Sequence, residues 1–102
     1  MRGIALPMNR TQAFIELADQ VLALIREEFA RSKNDRVSRA SDADLNYALR
    51  RVEEMRRRAL DRTLPERSAR YPVLSRLIID HWRLGGELGT AIVELEQRYE
   101  KI

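Results

Sequence analysis

Apolar residues recur every three or four positions through most of this chain, while its few glycines and prolines bunch near the ends of the periodic stretches. No stretch alternates apolar and polar residues as a half-buried β-strand would. The 102 residues suffice for one compact domain, and a hydrophobic content of 44% is that of an ordinary globular protein. The pattern therefore predicts an all-α, single-domain bundle of about four helices, arranged as two packed helical hairpins.

Capping and turn residues set the expected helix boundaries. Asn9 and Ser41 can accept hydrogen bonds from the first-turn amides of the helices that follow them. Pro72 favours a helix start at its own position, and the Gly85-Gly86 pair separates the last two helices. The predicted elements are a flexible N-terminal segment over 1–8 and helices over about 9–33, 41–62, 72–84 and 87–101.

The available residue types disfavour catalysis. The chain has no cysteine and one histidine, so thiolate nucleophiles and cysteine zinc sites are excluded. His81 lies in the apolar arc of the third helix and could act as a general base, but we expect a neutral core histidine because Asp80 points about 100° away from it on a helix. A carboxylate-bridged metal centre would need Glu-x-x-His, and Ile78 occupies that position. We expect no enzyme, no cofactor and no metal.

The first and third helices carry more apolar surface than a small bundle uses. The arc of the first, which we place at the centre, covers about half its circumference, and the third is apolar almost all round. Such a surplus predicts contact with another protein or with a second copy, most simply as a homodimer, unless the third helix is the buried one. Aromatic residues dominate interface energies and arginines suit the rim. The candidate interface residues are Tyr71, Arg76, Ile79, Trp82 and Arg83.

The second helix suggests an alternative function. The net charge of +3 arises from 17 arginines and two lysines against 16 acidic residues, and residues 50–70 carry a local charge of +4, from eight arginines and four acids. A basic line with a tyrosine beside it could follow a nucleic-acid backbone. Its residues are Tyr47, Arg51, Arg57, Arg58 and Arg62. Asp44 and Glu54 lie on or beside that line, which favours an ion-paired, solvated face instead.

The fourth helix is a weak candidate for reading DNA. In outline, the third and fourth helices with their glycine turn resemble a helix-turn-helix. Helix four and its cap carry a net charge of −2, however, and a reading helix enters a groove lined with phosphates.

Two charged residues interrupt apolar faces. Glu28 lies inside the apolar arc of the first helix, and Arg56 lies beside the apolar seam of the second. Buried charges are tolerated when they are paired, so we predict a Glu28–Arg56 contact that fixes the helix register.

The remaining features bear on location and class. No apolar run approaches the 18 or so residues of a membrane span, and the short apolar patch near Met1 does not resemble a secretory signal. We therefore expect a cytoplasmic protein without membrane contact. By size and class, the sequence is consistent with a non-enzymatic protein-interaction module, a small accessory or regulatory protein such as an immunity protein, antitoxin, phage modulator or adaptor.

Overall fold

Four α-helices make up most of the residues that the computed structural model describes, 9–82 and 86–102; for 79–81 the description covers the backbone alone. The helices are α1 (Arg10–Ala30), α2 (Asp42–Asp61), α3 (Val73–His81) and α4 (Glu87–Lys101), with short 3₁₀ turns at Lys33–Asp35 and Arg67–Ala69. These residues contain no β-strand, so the predicted all-α bundle is confirmed. The N-terminal segment over 1–8 lies outside the described residues. None of the described helices is long and apolar enough to cross a bilayer.

The helices begin where local side chains predict. The Asn9 side chain accepts a hydrogen bond from the Gln12 amide at 2.7 Å, and the Ser41 side chain accepts one from the Asp44 amide at 3.1 Å. Each satisfies a first-turn N–H group that has no partner within its helix. Both predicted N-caps are therefore confirmed.

Two of the helix ends differ from the prediction. Helix α1 ends at Ala30 rather than about 33, because Arg31 adopts extended backbone angles and donates its N–H to the Glu28 carbonyl. Helix α3 ends at His81 rather than about 84, because Trp82 is extended as well. After α3 the apolar pattern continues at Trp82 and Leu84 of the sequence, so it does not mark the end of that helix.

Helix α1 occupies the centre of the bundle, as predicted. It packs against α2 on one side and α4 on another, and α3 packs on α4. The Phe14 ring of α1 stacks on Tyr99 of α4 with the ring centroids 5.4 Å apart. Burial of each such side chain contributes about 1.5–3 kcal/mol. The buried residues of α1 are Phe14, Ile15, Ala18, Val21, Leu22, Ile25 and Glu28.

Candidate functional site

One arginine of α2 lies near two exposed tyrosines, one on its own helix and the other just before α3. Tyr47 is 48% exposed and Tyr71 is 66% exposed. Arg51 lies one helical turn after Tyr47, and its Nη2 donates to the Tyr71 carbonyl at 3.4 Å. We call Tyr47, Arg51 and Tyr71 the tyrosine-arginine surface. It brings together residues that the sequence analysis assigned to two separate sites, the protein interface and the basic line.

Arg51 leaves most of its hydrogen-bonding capacity unused. Its guanidinium carbon lies 5.9 Å from the Tyr99 ring centroid, and its Nε is buried without a hydrogen-bond partner. An arginine carries five N–H donors, and the bond to Tyr71 is long. The bond from Nη2 to Tyr71 is exposed, and Tyr47 lies one turn earlier on the same helix. A ligand that approaches there can reach the Nη groups of Arg51, which make only this one long bond among the described residues, but not the buried Nε.

The predicted interface residues fall into three groups. Tyr71 and Arg76 are exposed, as an interface requires. Trp82 is only 6% exposed, and its Nε1 donates to the Asp44 carboxylate at 3.2 Å. The prediction of Trp82 as an exposed anchor is therefore wrong, because its ring joins the core while its polar edge reaches α2. The side chain of Ile79 and all of Arg83 lie outside the described residues, and so does the predicted core position of the His81 side chain.

The surplus apolar surface predicted on the first helix is also wrong. Helices α2 and α4 cover its arc from two sides, and Leu17, Leu24 and Phe29 at the margins pack partly buried against the same core. The 102-residue chain therefore covers this helix by itself.

Two of the four arginines in the predicted basic line form ion pairs. Arg57 binds Glu54 at 2.7 Å and Asp61 at 3.3 Å, and Arg58 binds Glu54 at 2.8 Å. The hydrogen bonds from Arg57 and Arg58 hold the pKa of Glu54 below its ordinary value. Arg62 is exposed and caps α2 in a left-handed conformation, with φ of 59°. The structure therefore shows the ion-paired face that the sequence analysis weighed against a phosphate-binding one.

The predicted contact between Glu28 and Arg56 is wrong. Arg56 Nε instead donates to Asp19 at 2.6 Å, which sets the register of the antiparallel α1–α2 pair. Glu28 lies nine residues beyond Asp19 on α1, about 13 Å along the helix, out of reach of Arg56. The prediction that Glu28 is buried is confirmed, since it is 5% exposed.

Glu28 holds the loop between α1 and α2. Its Oε2 accepts hydrogen bonds from the backbone amide of Ser38 at 3.0 Å and from the Ser38 hydroxyl, and its Oε1 accepts longer ones from the Val37 amide at 3.4 Å and Arg31 at 3.3 Å. Burial raises the pKa of Glu28, but the bonds from Ser38 and Val37 and the charge of Arg31 together hold it below the ordinary 4.5. The side chain stays ionised and binds the loop.

Arg36 reinforces the same loop from within. It is 6% exposed and donates to the Glu28 carbonyl at 3.1 Å, the Ala40 carbonyl at 3.1 Å and the Asp42 carboxylate at 2.6 Å. The sequence analysis did not identify this residue, because residues 34–40 show no periodicity from which burial can be inferred.

A second buried carboxylate, Glu96 of α4, holds the beginning of α3. It is 2% exposed and accepts from the Leu74 amide at 2.9 Å and from the amide and hydroxyl of Ser75, both at 2.6 Å. Because α3 has no side-chain cap of its own, Glu96 replaces one from a different helix. The sequence analysis counted Glu96 only as part of a net charge. Its position one turn after Ile92 in the apolar stripe was the signal that could have identified it.

The described residues hold no group of three or more histidine, cysteine or acidic side chains arranged to bind a metal ion. No protein-family model matches this chain, and no curated protein or solved structure matches it either.

Proposed function

We propose that this chain is a non-enzymatic protein-interaction module that binds another protein through the tyrosine-arginine surface. The observation that carries the proposal is the exposure of Tyr47 and Tyr71 close to Arg51, which lies one turn after Tyr47 and bonds to the Tyr71 carbonyl. Tyrosine and arginine are among the residues that contribute most to binding at protein interfaces. The accessory or regulatory role expected from the size and class of the chain fits such a surface.

The elements beneath the surface favour tight binding. Tyr47 and Arg51 stand on α2, whose buried seam packs in the core, and Tyr71 lies just before the Glu96-bound beginning of α3. A tyrosine has few rotatable bonds, so ordering it on binding costs little conformational entropy. A surface held in this way loses less freedom on binding than a loop would.

The structure bears on the kind of partner. The homodimer was expected because the first and third helices carried surplus apolar surface. The apolar arc of α1 and the Trp82 side chain are buried within the chain, so little of that surface is left to form a dimer. A different protein is therefore the proposed partner. Nucleic-acid binding along α2 has less support, because Arg57 and Arg58 already pair with Glu54 and Asp61.

Affinity capture from extracts of its native cells, followed by binding measurements on the purified pair, tests the proposal. A double variant, Tyr47→Ser with Tyr71→Ser, should lose the partner while its helical circular dichroism stays unchanged. Leu60→Ser is the matched control, because Leu60 is 50% exposed on the same helix but outside the surface. A partner that binds the double variant as tightly as the wild type would overturn the proposal.

Two further measurements test whether a second copy of the chain or a nucleic acid binds this surface instead. If sedimentation equilibrium shows a dimer that the tyrosine substitutions disrupt, the partner is a second copy of this chain and not a different protein. Binding to a labelled DNA duplex that weakens steeply with salt, and that is lost when Arg51, Arg58 and Arg62 become Glu, would favour the nucleic-acid function.

A further inference from the structure

We infer that the partner presents an acidic segment, one carboxylate of which binds the guanidinium of Arg51. This inference rests on the proposed function, since it specifies the chemistry of whatever occupies the tyrosine-arginine surface.

Arg51 differs from the two buried arginines of the described residues, Arg36 and Arg70. Arg36 uses all three guanidinium nitrogens, and Arg70 donates from Nε to the Pro65 carbonyl and from Nη1 to the Tyr99 carbonyl, both at 2.8 Å. Arg51 makes one bond of 3.4 Å, from Nη2 at an exposed position, and none from Nη1 among the described residues. A carboxylate at the surface would therefore displace only one weak bond of Arg51, whereas at Arg36 or Arg70 it would displace shorter ones.

The charges around the surface also favour a negatively charged partner. Arg50 and Arg51 are the residues three and four positions after Tyr47, and both therefore lie beside it on the helix. Glu54, on the same side of α2, is already paired with Arg57 and Arg58. Asp44 accepts a hydrogen bond from the neutral Trp82 indole and keeps its charge, which leaves two arginines against one carboxylate around Tyr47. Among the described residues, no carboxylate pairs with Arg51, so the complement to this surface is negative.

A carboxylate fits better than a row of phosphates. Phosphate backbones are bound by several unpaired cations in succession, whereas the cations that follow Arg51 along α2, Arg57 and Arg58, are paired. A single arginine fork matches one planar carboxylate, and the exposed Tyr47 and Tyr71 offer contact area to apolar atoms of the partner.

A random peptide library displayed on phage and selected against the full-length chain tests the inference. The peptides enriched should share an aspartate or glutamate, and changing that residue to asparagine or glutamine should weaken binding of the synthetic peptide about tenfold. Arg51→Lys keeps the charge but loses the fork, so it should weaken binding by a similar factor. Arg26→Lys, at an exposed position on α1, is the matched control and should leave the affinity unchanged.

The possible results distinguish a failure of this inference from a failure of the proposed function. Peptides that lose binding in the Tyr47→Ser, Tyr71→Ser variant but carry no acidic residue would overturn the inference and leave the proposed function intact. Failure to enrich any peptide sensitive to those tyrosines would contradict both. If Arg51→Lys disturbs the fold, the amide substitution in the peptide still decides, because it leaves the protein unaltered. Displacement of the acidic peptide by duplex DNA at physiological salt would favour phosphate as the ligand.

Discussion

Glu28 and Glu96 are two buried carboxylates with closely similar partners. Each accepts hydrogen bonds from two backbone amides and one serine hydroxyl, and each binds a segment outside its own helix. They differ in how the short bonds are divided between the oxygens. Glu28 accepts short bonds only on Oε2, from Ser38, and bonds of 3.3 and 3.4 Å on Oε1, whereas Glu96 accepts bonds of 2.9 Å or less on both oxygens. This small bundle thus uses buried acidic side chains to hold both a connecting loop and a helix start.

The division of bonds predicts different responses to an amide. In Glu96→Gln, one end of the side chain must turn an NH₂ group toward a backbone N–H of Leu74 or Ser75. We expect a loss of about 2–3 kcal/mol in the free energy of unfolding. In Glu28→Gln, the carbonyl can keep both bonds from Ser38 and the NH₂ faces only the long contacts, so the loss should be about 1–2 kcal/mol.

Urea denaturation followed by circular dichroism measures both variants. The wild type and Glu94→Gln, at an exposed position on α4, provide the references. Equal losses at Glu28 and Glu96, or a larger loss at Glu28, would show that the division of bonds does not govern their contributions.

For the two serines we expect the opposite order, with the larger loss of stability at the partner of Glu28. Ser38 is 4% exposed, donates to Glu28 and also accepts from the Ala40 amide at 3.2 Å, so Ser38→Ala breaks two interactions. Ser75 donates to Glu96 and is partly exposed. We expect about 1–2 kcal/mol for Ser38→Ala and about 0.5–1 kcal/mol for Ser75→Ala, from the same denaturation experiment. A larger loss in the free energy of unfolding for Ser75→Ala than for Ser38→Ala would contradict this expectation.

These clusters show what could be predicted from the sequence. The starts of α1 and α2 depend on contacts three residues apart, and Asn9 and Ser41 were identified on that basis. The end of α1 depends on Arg36 and Ser38, whose bonds to Glu28 span eight and ten residues. Periodicity marked Glu28 as buried, but it carries no information about a partner in a loop.

The three residues of the candidate site were each predicted, but at two separate sites, for a related reason. Tyr71 and Trp82 are both aromatic residues at the ends of α3, and composition does not tell which of them is buried. Trp82 is buried because its indole reaches Asp44, 38 residues earlier. The contact of Arg51 with Tyr71 spans 20 residues, so the pairing that defines the surface depends on the tertiary fold.

The bonds to Glu28 also predict how the stability responds to acid. A carboxyl whose folded-state pKa is depressed contributes stability that is present above its ordinary value, 4.5 for Glu28, and is lost as the pH falls through the folded-state pKa. The free energy of unfolding of the wild type should therefore drop below about pH 4.5 more steeply than that of Glu28→Gln. Asp42 and Glu54, whose pKa values arginines also lower, titrate in both proteins and cancel in the difference. Parallel curves for the two proteins would contradict this role of Glu28.

The smallest expected effect concerns Arg31, which is bound to Glu28 and has no counterpart at Glu96. The Arg31 side chain is 47% exposed and its contact with Glu28 is 3.3 Å long, so Arg31→Ala should cost only about 0.5 kcal/mol. Arg98→Ala is the matched control, because Arg98 is equally exposed but pairs with the exposed Glu94 at 3.4 Å. Since salt screens exposed pairs most, the cost of Arg98→Ala should vanish in high salt while part of the Arg31 cost remains. If both costs vanish together, the backbone and serine bonds alone keep Glu28 ionised, and the two carboxylates differ only in how their oxygens are used.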